Sequence, residues 1–173
     1  AGPFYGCENV QIYCGVEQIP DSWDEYWHRI NSLDMDNRYY NWTRTEYNFW
    51  SSLDKTASSI EIPDYITRIP RRAFFCCSNI TKITLPSSIT SIEDEAFYLC
   101  KELESINIPD SVISIGKDAF CGCYGLQSIT LPDSVTSIKD GAFRSCSNLS
   151  SINIPNRLTS IESSVFNRCS KLE

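Results

Sequence analysis

Nine cysteines, one histidine and one run of three acidic residues are the side chains in this 173-residue sequence best suited to chemistry. Cysteines at such density serve as disulfides, metal ligands or nucleophiles, and their spacing separates these uses. Cys77, Cys100, Cys123, Cys146 and Cys169 recur every 23 residues. One residue per coil of a parallel stack lies about 4.8 Å from the next. Side chains in such a column point the same way, which is poor geometry for a disulfide. Zinc needs four ligands converging on a point, whereas a straight ladder diverges. Cys76 beside Cys77, and Cys121 two before Cys123, add no CxxC pair. The expectation is a structural ladder of buried free thiols that pack as small apolar groups.

The remaining candidates are weaker still. His28 has neither a nearby cysteine nor a second histidine and reads as a solvated helix residue. Glu93-Asp94-Glu95 lacks the alternating ligand spacing of a calcium loop and reads as a solvated turn. No nucleophile elbow or phosphate-cradling glycine loop occurs. Asn41-Trp42-Thr43, Asn79-Ile80-Thr81 and Asn148-Leu149-Ser150 fit the glycosylation sequon, a chance-level match in a chain this rich in Ser and Thr. The sequence therefore predicts no catalytic residue, no metal site and no cofactor.

What positions the cysteines is a repeat. Prolines at 63, 86, 109, 132 and 155 keep the same 23-residue interval, and Ile106 to Ser128, INIPDSVISIGKDAFCGCYGLQS, is one unit of it. A fixed period in this range is the signature of a solenoid, whose units bury their apolar side only by stacking on neighbours. The coils run from Ile60, Ile83, Ile106, Ile129 and Ile152. In each, Ile-x-Ile/Leu-Pro is a short strand ended by a proline that cannot continue a ladder. Val112, Ile115, Ala119-Phe120, Cys123 and Leu126 return the chain along the opposite side, with Lys117 to Phe120 suited to a single helical or 3-10 turn.

The domain reading follows. Residues 1–14 match the second half of a repeat, residues 15–57 are an aromatic-rich insertion or cap, and residues 58–173 hold five 23-residue coils. All four tryptophans lie in the insertion. Trp23, Trp27 and Ile30 fall at helical spacing after Pro20-Asp21-Ser22. Tyr39, Tyr40, Trp42, Tyr47, Phe49 and Trp50, interspersed with Asn, Thr and Arg, suit short strands or an aromatic-packed loop. That cluster either covers the exposed core of an interrupted solenoid or, through Trp42 and Tyr47, forms a ligand platform. Both ends of the sequence fall inside a coil, so the chain is expected to be a piece of a longer protein, or else to pair its bare end with a second copy.

Composition excludes several partner classes. The net charge of −7 argues against nucleic acid and anionic membranes, which call for clustered Lys and Arg. No apolar run approaches the roughly 20 residues of a membrane-spanning helix.

The sentence I-x-I-P-x-x-V-x-x-I-x-x-x-A-F-x-x-C-x-x-L resembles the leucine-rich repeat of the BspA-like, or TpLRR-type, surface proteins of anaerobic bacteria and some protists. Ile12-Tyr13-Cys14, Pro20, Trp23 and Trp27 resemble the segment that follows a run of such repeats; Pro3, Gly15 and Val165 depart from the pattern. The resemblance implies a right-handed leucine-rich-repeat solenoid, an α/β repeat with a parallel β-sheet on one side and short helical or 3-10 turns on the other. It also implies a cell-surface or secreted location and adhesion to host proteins, host cells or other bacteria.

Three functions are consistent with these residues. The first is a non-catalytic binding module whose outward strand row, Glu61, Thr84, Asn107, Thr130 and Asn153, engages protein or glycan ligands, with Lys82, Ser105, Ser128 and Ser151 beside it. The second is a spacer displaying another module, favoured by the closeness of the coils to one another. The third is an accessory region of a larger enzyme.

Overall fold

A computed structural model of the chain describes residues 44–173, leaving out the side chains of Arg44, Tyr47 and Ser51. The expectations for residues 1–14, Trp23, Trp27, His28 and Trp42 lie outside the described residues. The chain divides into two units, 1–51 and 52–173. Of the first, the described residues are 44–51, all within a helix, α1 (Arg44–Ser52), whose last residue, Ser52, is the first of the second unit. This corrects the strand-or-loop expectation for Tyr47, Phe49 and Trp50. Aromatic residues favour strands only where a pleated neighbour receives them. Here Thr43-Arg44-Thr45-Glu46 has the Ser/Thr-x-x-Glu pattern that opens helices, and Glu46 stands in the first turn. Phe49 and Trp50 meet edge to face at 4.9 Å.

The second unit is a solenoid of parallel strands. On one side lie β1 (Ser59–Glu61), β3 (Lys82–Thr84), β5 (Ser105–Ile106), β7 (Ser128–Ile129) and β9 (Ser151–Ile152). On the return side lie β2 (Arg68–Ile69), β4 (Ser91–Ile92), β6 (Ser114–Ile115) and β8 (Ser137–Ile138). Every pairing is parallel and offset by one repeat, as in Ile60↔Ile83, Ile83↔Ile106 and Ile92↔Ile115. In β1, β3, β5 and β7 the Ile points inward while its Ser, Lys, Thr or Glu neighbours face water, and a proline that soon follows keeps the strand short.

Between the return strand and the next cysteine the chain makes turns, and their bonding explains why no helix propagates. The N–H groups of Ala119, Cys121 and Cys123 donate back to the carbonyls of Gly116, Asp118 and Phe120, the local bond of a 3-10 turn. The alternating N–H groups of Asp118, Phe120 and Gly122 donate instead to Asp140, Ala142 and Arg144 of the following coil, at 3.0, 2.7 and 2.8 Å. This alternation is bought with left-handed backbone. Arg72, Glu95, Asp118, Gly141 and Ser164 form one column at φ of 52° to 66°, and Cys76, Leu99, Gly122, Ser145 and Arg168 form another at 56° to 73°. Only two of these ten are glycine, and all but Ser164 and Arg168 donate their N–H to the following coil, a bond that offsets the cost of a region ordinary side chains disfavour.

The core runs the length of the stack as columns. Phe74, Phe97, Phe120, Phe143 and Phe166 stack with centroids 5.0 to 5.9 Å apart and planes within 15° of parallel. Beside them, Cys77, Cys100, Cys123 and Cys146 are buried and Cys169 is half-buried. The thiols are more than apolar filler: Cys100, Cys123, Cys146 and Cys169 donate to the carbonyls of Phe74, Phe97, Phe120 and Phe143 in the preceding coil, at 3.0 to 3.2 Å. All seven described cysteines are free, and Cys76 alone among them is exposed. Burial pushes the thiols of Cys77, Cys100, Cys121 and Cys123 up, which keeps them protonated and poor nucleophiles at neutral pH. Among the described cysteines of the folded protein, an alkylating reagent should therefore modify exposed Cys76 and half-buried Cys169, whose hydrogen bond with Cys146 lowers its thiol pKa to about 7, before the others, and reach Cys100 and Cys123 only on unfolding. Mass mapping of the native reaction checks this; Cys100 or Cys123 reacting as fast as Cys76 would mean that the column is open.

Candidate functional site

The strand side presents the outward row anticipated from the sequence. Glu61 and Thr84 sit opposite each other in the β1–β3 register, and Asn107, Thr130 and Asn153 continue the column one per coil. All five are exposed, as are Lys82, Ser105, Ser128 and Ser151 beside them, because the alternation of the strand sends the intervening Ile inward. The members of the row are not equivalent. Thr84, Asn107 and Thr130 border a recess of about 420 Å³ together with Lys82, Ser105 and Ser128. Asn153 is committed to the fold: its amide nitrogen donates to Leu131 O and its oxygen accepts from Leu131 N, both at 2.7 Å, in place of a strand partner. Tyr47 belongs to α1, in the other unit.

Charge gathers on the turns, where the coils differ from one another. Glu95 accepts from Arg71 Nη2 at 2.8 Å and from Arg72 Nε at 2.6 Å. Glu93 accepts from Arg71 N at 3.1 Å, and Asp94 from Lys117 N at 2.8 Å. Glu93-Asp94-Glu95 is thus a half-buried set of clasps between three coils rather than the solvated turn expected. Its neighbours 23 residues either way supply donors, a correspondence visible only once the coils are stacked. Burial raises and the two guanidinium hydrogen bonds lower the Glu95 carboxyl, and the net direction is down. Further along, Asp118, 8% exposed, lies 2.9 Å from Arg144 Nη2. Burial outweighs that guanidinium and pushes its carboxyl up. Lys139 meets Glu162 at 3.0 Å in the open, where water and salt screen the pair.

A second outward row lies on the return side. Thr67, Thr90, Ile113 and Thr136 precede the return strands and are all exposed. The hydroxyls of Thr67's successors bond to the coil before them, Thr90 Oγ1 to Thr67 O at 3.1 Å and Thr136 Oγ1 to Ile113 O at 3.4 Å, so this row also serves the stack. Of the two sequons within the described residues, Asn79 is exposed, while Asn148 Nδ2 is engaged with Tyr124 O at 2.7 Å. Among the described residues no group of three His, Cys, Asp or Glu could hold a metal ion, and no helix is long and apolar enough to cross a membrane.

Six copies of the BspA type leucine rich repeat region match the sequence, over residues 2–100 and 45–173. The chain belongs to this family. A leucine rich cell surface protein from Faecalibacterium prausnitzii shares 33% identity at a TM-score of 0.65, over 68% of this chain and 31% of its own. The Treponema pallidum leucine rich repeat protein shares 29% at a TM-score of 0.59, over 67% of this chain and 65% of its own. The pneumococcal vaccine antigen PcpA shares 25% at a TM-score of 0.64, over 68% and 29%. The chain therefore spans less than two thirds of the length of each of these proteins. No curated protein matches it in sequence. Membership of the BspA-type family makes the chain a repeat of the kind used for binding, with similarity to proteins of cell surfaces.

Proposed function

We propose that this BspA-type solenoid is a non-catalytic, adhesin-like binding module displayed at or beyond the cell surface. Its strand side engages a protein or glycan ligand through Glu61, Thr84, Asn107 and Thr130. The observation that carries the reading is the recess at Thr84, Asn107 and Thr130, set in a row whose side chains face water while almost every apolar group of these coils is consumed by the core. The location draws on the similarity to surface proteins and the ligand type on the family.

A screen of the intact chain against extracellular-matrix proteins and glycans tests it, with Thr84→Lys/Asn107→Lys/Thr130→Lys as the blocking variant. These positions are exposed, so the variant should melt like the parent. Any ligand found should bind the variant at least about tenfold more weakly, because three desolvated ammonium groups would occupy the strip. Undiminished binding would move the site off the strand side. Binding of nothing in the screen would favour the spacer reading, which the unchanging register of the coils also supports.

A further inference from the structure

The strand side is not one sheet. β1, β3 and β5 form one ladder and β7 and β9 another, with no ladder bond between β5 and β7. Between the same two coils the return strands β6 and β8 pair normally, and Phe120 stacks on Phe143 at 5.3 Å. The flanking bonds show the same break. Thr81 N donates to Ser58 O at 2.8 Å, Glu104 N to Thr81 O at 3.1 Å and Ser150 N to Gln127 O at 2.9 Å. Among the described residues no bond of this series joins Gln127 to Glu104. Beyond the strands, Ile62 N donates to Thr84 O at 3.0 Å and Leu131 N to Asn153 Oδ1 at 2.7 Å, whereas Leu85 and Ile108 make no such bond, so this series does not mark the β5–β7 step in particular. Backbone N–H and C=O groups require partners, so those lining this seam are left for water or a ligand.

The recess spans β3, β5 and β7 and is centred on β5, so the seam lies along one side of it. Its volume of about 420 Å³ falls in the range of small-ligand sites, roughly 300 to 1,000 Å³. Its outward side chains are the hydroxyls of Thr84, Ser105, Ser128 and Thr130, the amide of Asn107 and, as the single charge, Lys82. No aromatic residue and no carboxylate lines it. A protein partner would find none of the Trp, Tyr or Arg anchors that carry most of the binding energy at protein interfaces. A peptide strand adds to a sheet at an edge and needs a gap of about two 4.8 Å spacings, which the Phe120–Phe143 stack denies to these coils.

We infer that the recess across β3, β5 and β7, bordered by hydroxyl and amide side chains, is a subsite for a neutral sugar unit of a glycan. The inference rests on the strand-side reading proposed above and specifies its ligand. A sugar ring presents hydroxyls that both donate and accept, which suits the hydroxyl side chains of Thr84, Ser105, Ser128 and Thr130 and the amide of Asn107 alike. With no aromatic platform each contact is weak, and affinity for a polymer comes from several units engaging the row at once.

The test is a backbone NMR titration of the intact chain with cellohexaose, maltohexaose and mannohexaose, alongside Asn107→Ala and Thr130→Val, both at exposed positions. At least one hexaose should shift the amides of residues 104–108 and 127–131, and each substitution should weaken it about tenfold as a hydrogen-bonding partner is lost. No binding by any hexaose, shifts confined to other residues, or equal binding by both variants would overturn the inference. If the hexaoses fail while a protein ligand from the screen is lost in the triple lysine variant, the sugar subsite falls and the strand-side reading stands. If hexaose binding survives the triple lysine variant, both fall.

Discussion

Phe120→Ala should lower the stability of the repeat unit by about 3 to 5 kcal/mol, the range for emptying an aromatic site in a close-packed core. Phe120 is fully buried and lies between Phe97 at 5.0 Å and Phe143 at 5.3 Å, so its removal severs both ring contacts at once. The site cannot collapse to refill the space. Ala119 and Cys123 beside it are held by their own columns, and the Phe120 carbonyl is fixed by Cys123 N and by the Cys146 thiol. In a solenoid each coil is stabilised by its two neighbours, so a central cavity weakens two interfaces. Phe166, half-buried and stacked on Phe143 alone among the described rings, should cost clearly less. Urea unfolding of both variants measures the difference. A loss below about 1 kcal/mol at Phe120 would be incompatible with a packed aromatic column.

The parts of this fold that were legible in the sequence are those in which every coil does the same job with the same residue. Ile60, Ile83, Ile106 and Ile129 face the core at one level, Phe74 to Phe166 and Cys77 to Cys169 at two others, and identical demands on packing produce identical letters every 23 residues. The row Glu61 to Asn153 was legible for the same reason, since whatever separates two inward positions of a strand must face outward. The left-handed turn columns were not. Their usual signal is glycine, but one column reads Arg72, Glu95, Asp118, Gly141, Ser164, because bonds to the next coil offset the local backbone cost. Nor was the seam between β5 and β7, where Ser-Ile-Asn-Ile-Pro meets Ser-Ile-Thr-Leu-Pro much as elsewhere in the stack. The acidic run at 93–95 was misjudged because its partners, Arg71, Arg72 and Lys117, are remote in sequence and adjacent only across coils. The aromatic content of Arg44–Ser52 points to strand or loop, whereas the helix is signalled by Thr43-x-x-Glu46, a pattern outside the expectation stated for this stretch.

Substitutions at Gly122 separate the two costs of the left-handed turn, its backbone angle and its inter-coil bond. Gly122 has φ of 73° and its N–H donates to Arg144 O at 2.8 Å. Gly122→Ala keeps the N–H and meets only the Leu99 Cδ2 methyl, 2.6 Å from the new carbon and free to rotate away. Cys76, Leu99, Ser145 and Arg168 already carry side chains at this place in other coils, so alanine should cost about 1 to 2 kcal/mol, the strain of an L-residue in this region. Gly122→Pro removes the N–H and fixes φ near −65°, on the wrong side of zero, so it should cost at least about 3 kcal/mol beyond wild type and part coil from coil along the whole turn. Because Phe120 N and Gly122 N bond the same neighbouring coil two residues apart, proline at 122 should also expose the Phe120 amide to exchange. Chemical unfolding of the pair, read with amide hydrogen exchange at Asp118, Phe120 and Ser145, decides the matter. If proline and alanine cost the same, the bonds between turns contribute nothing to the stack and its cohesion resides in the aromatic and aliphatic columns alone.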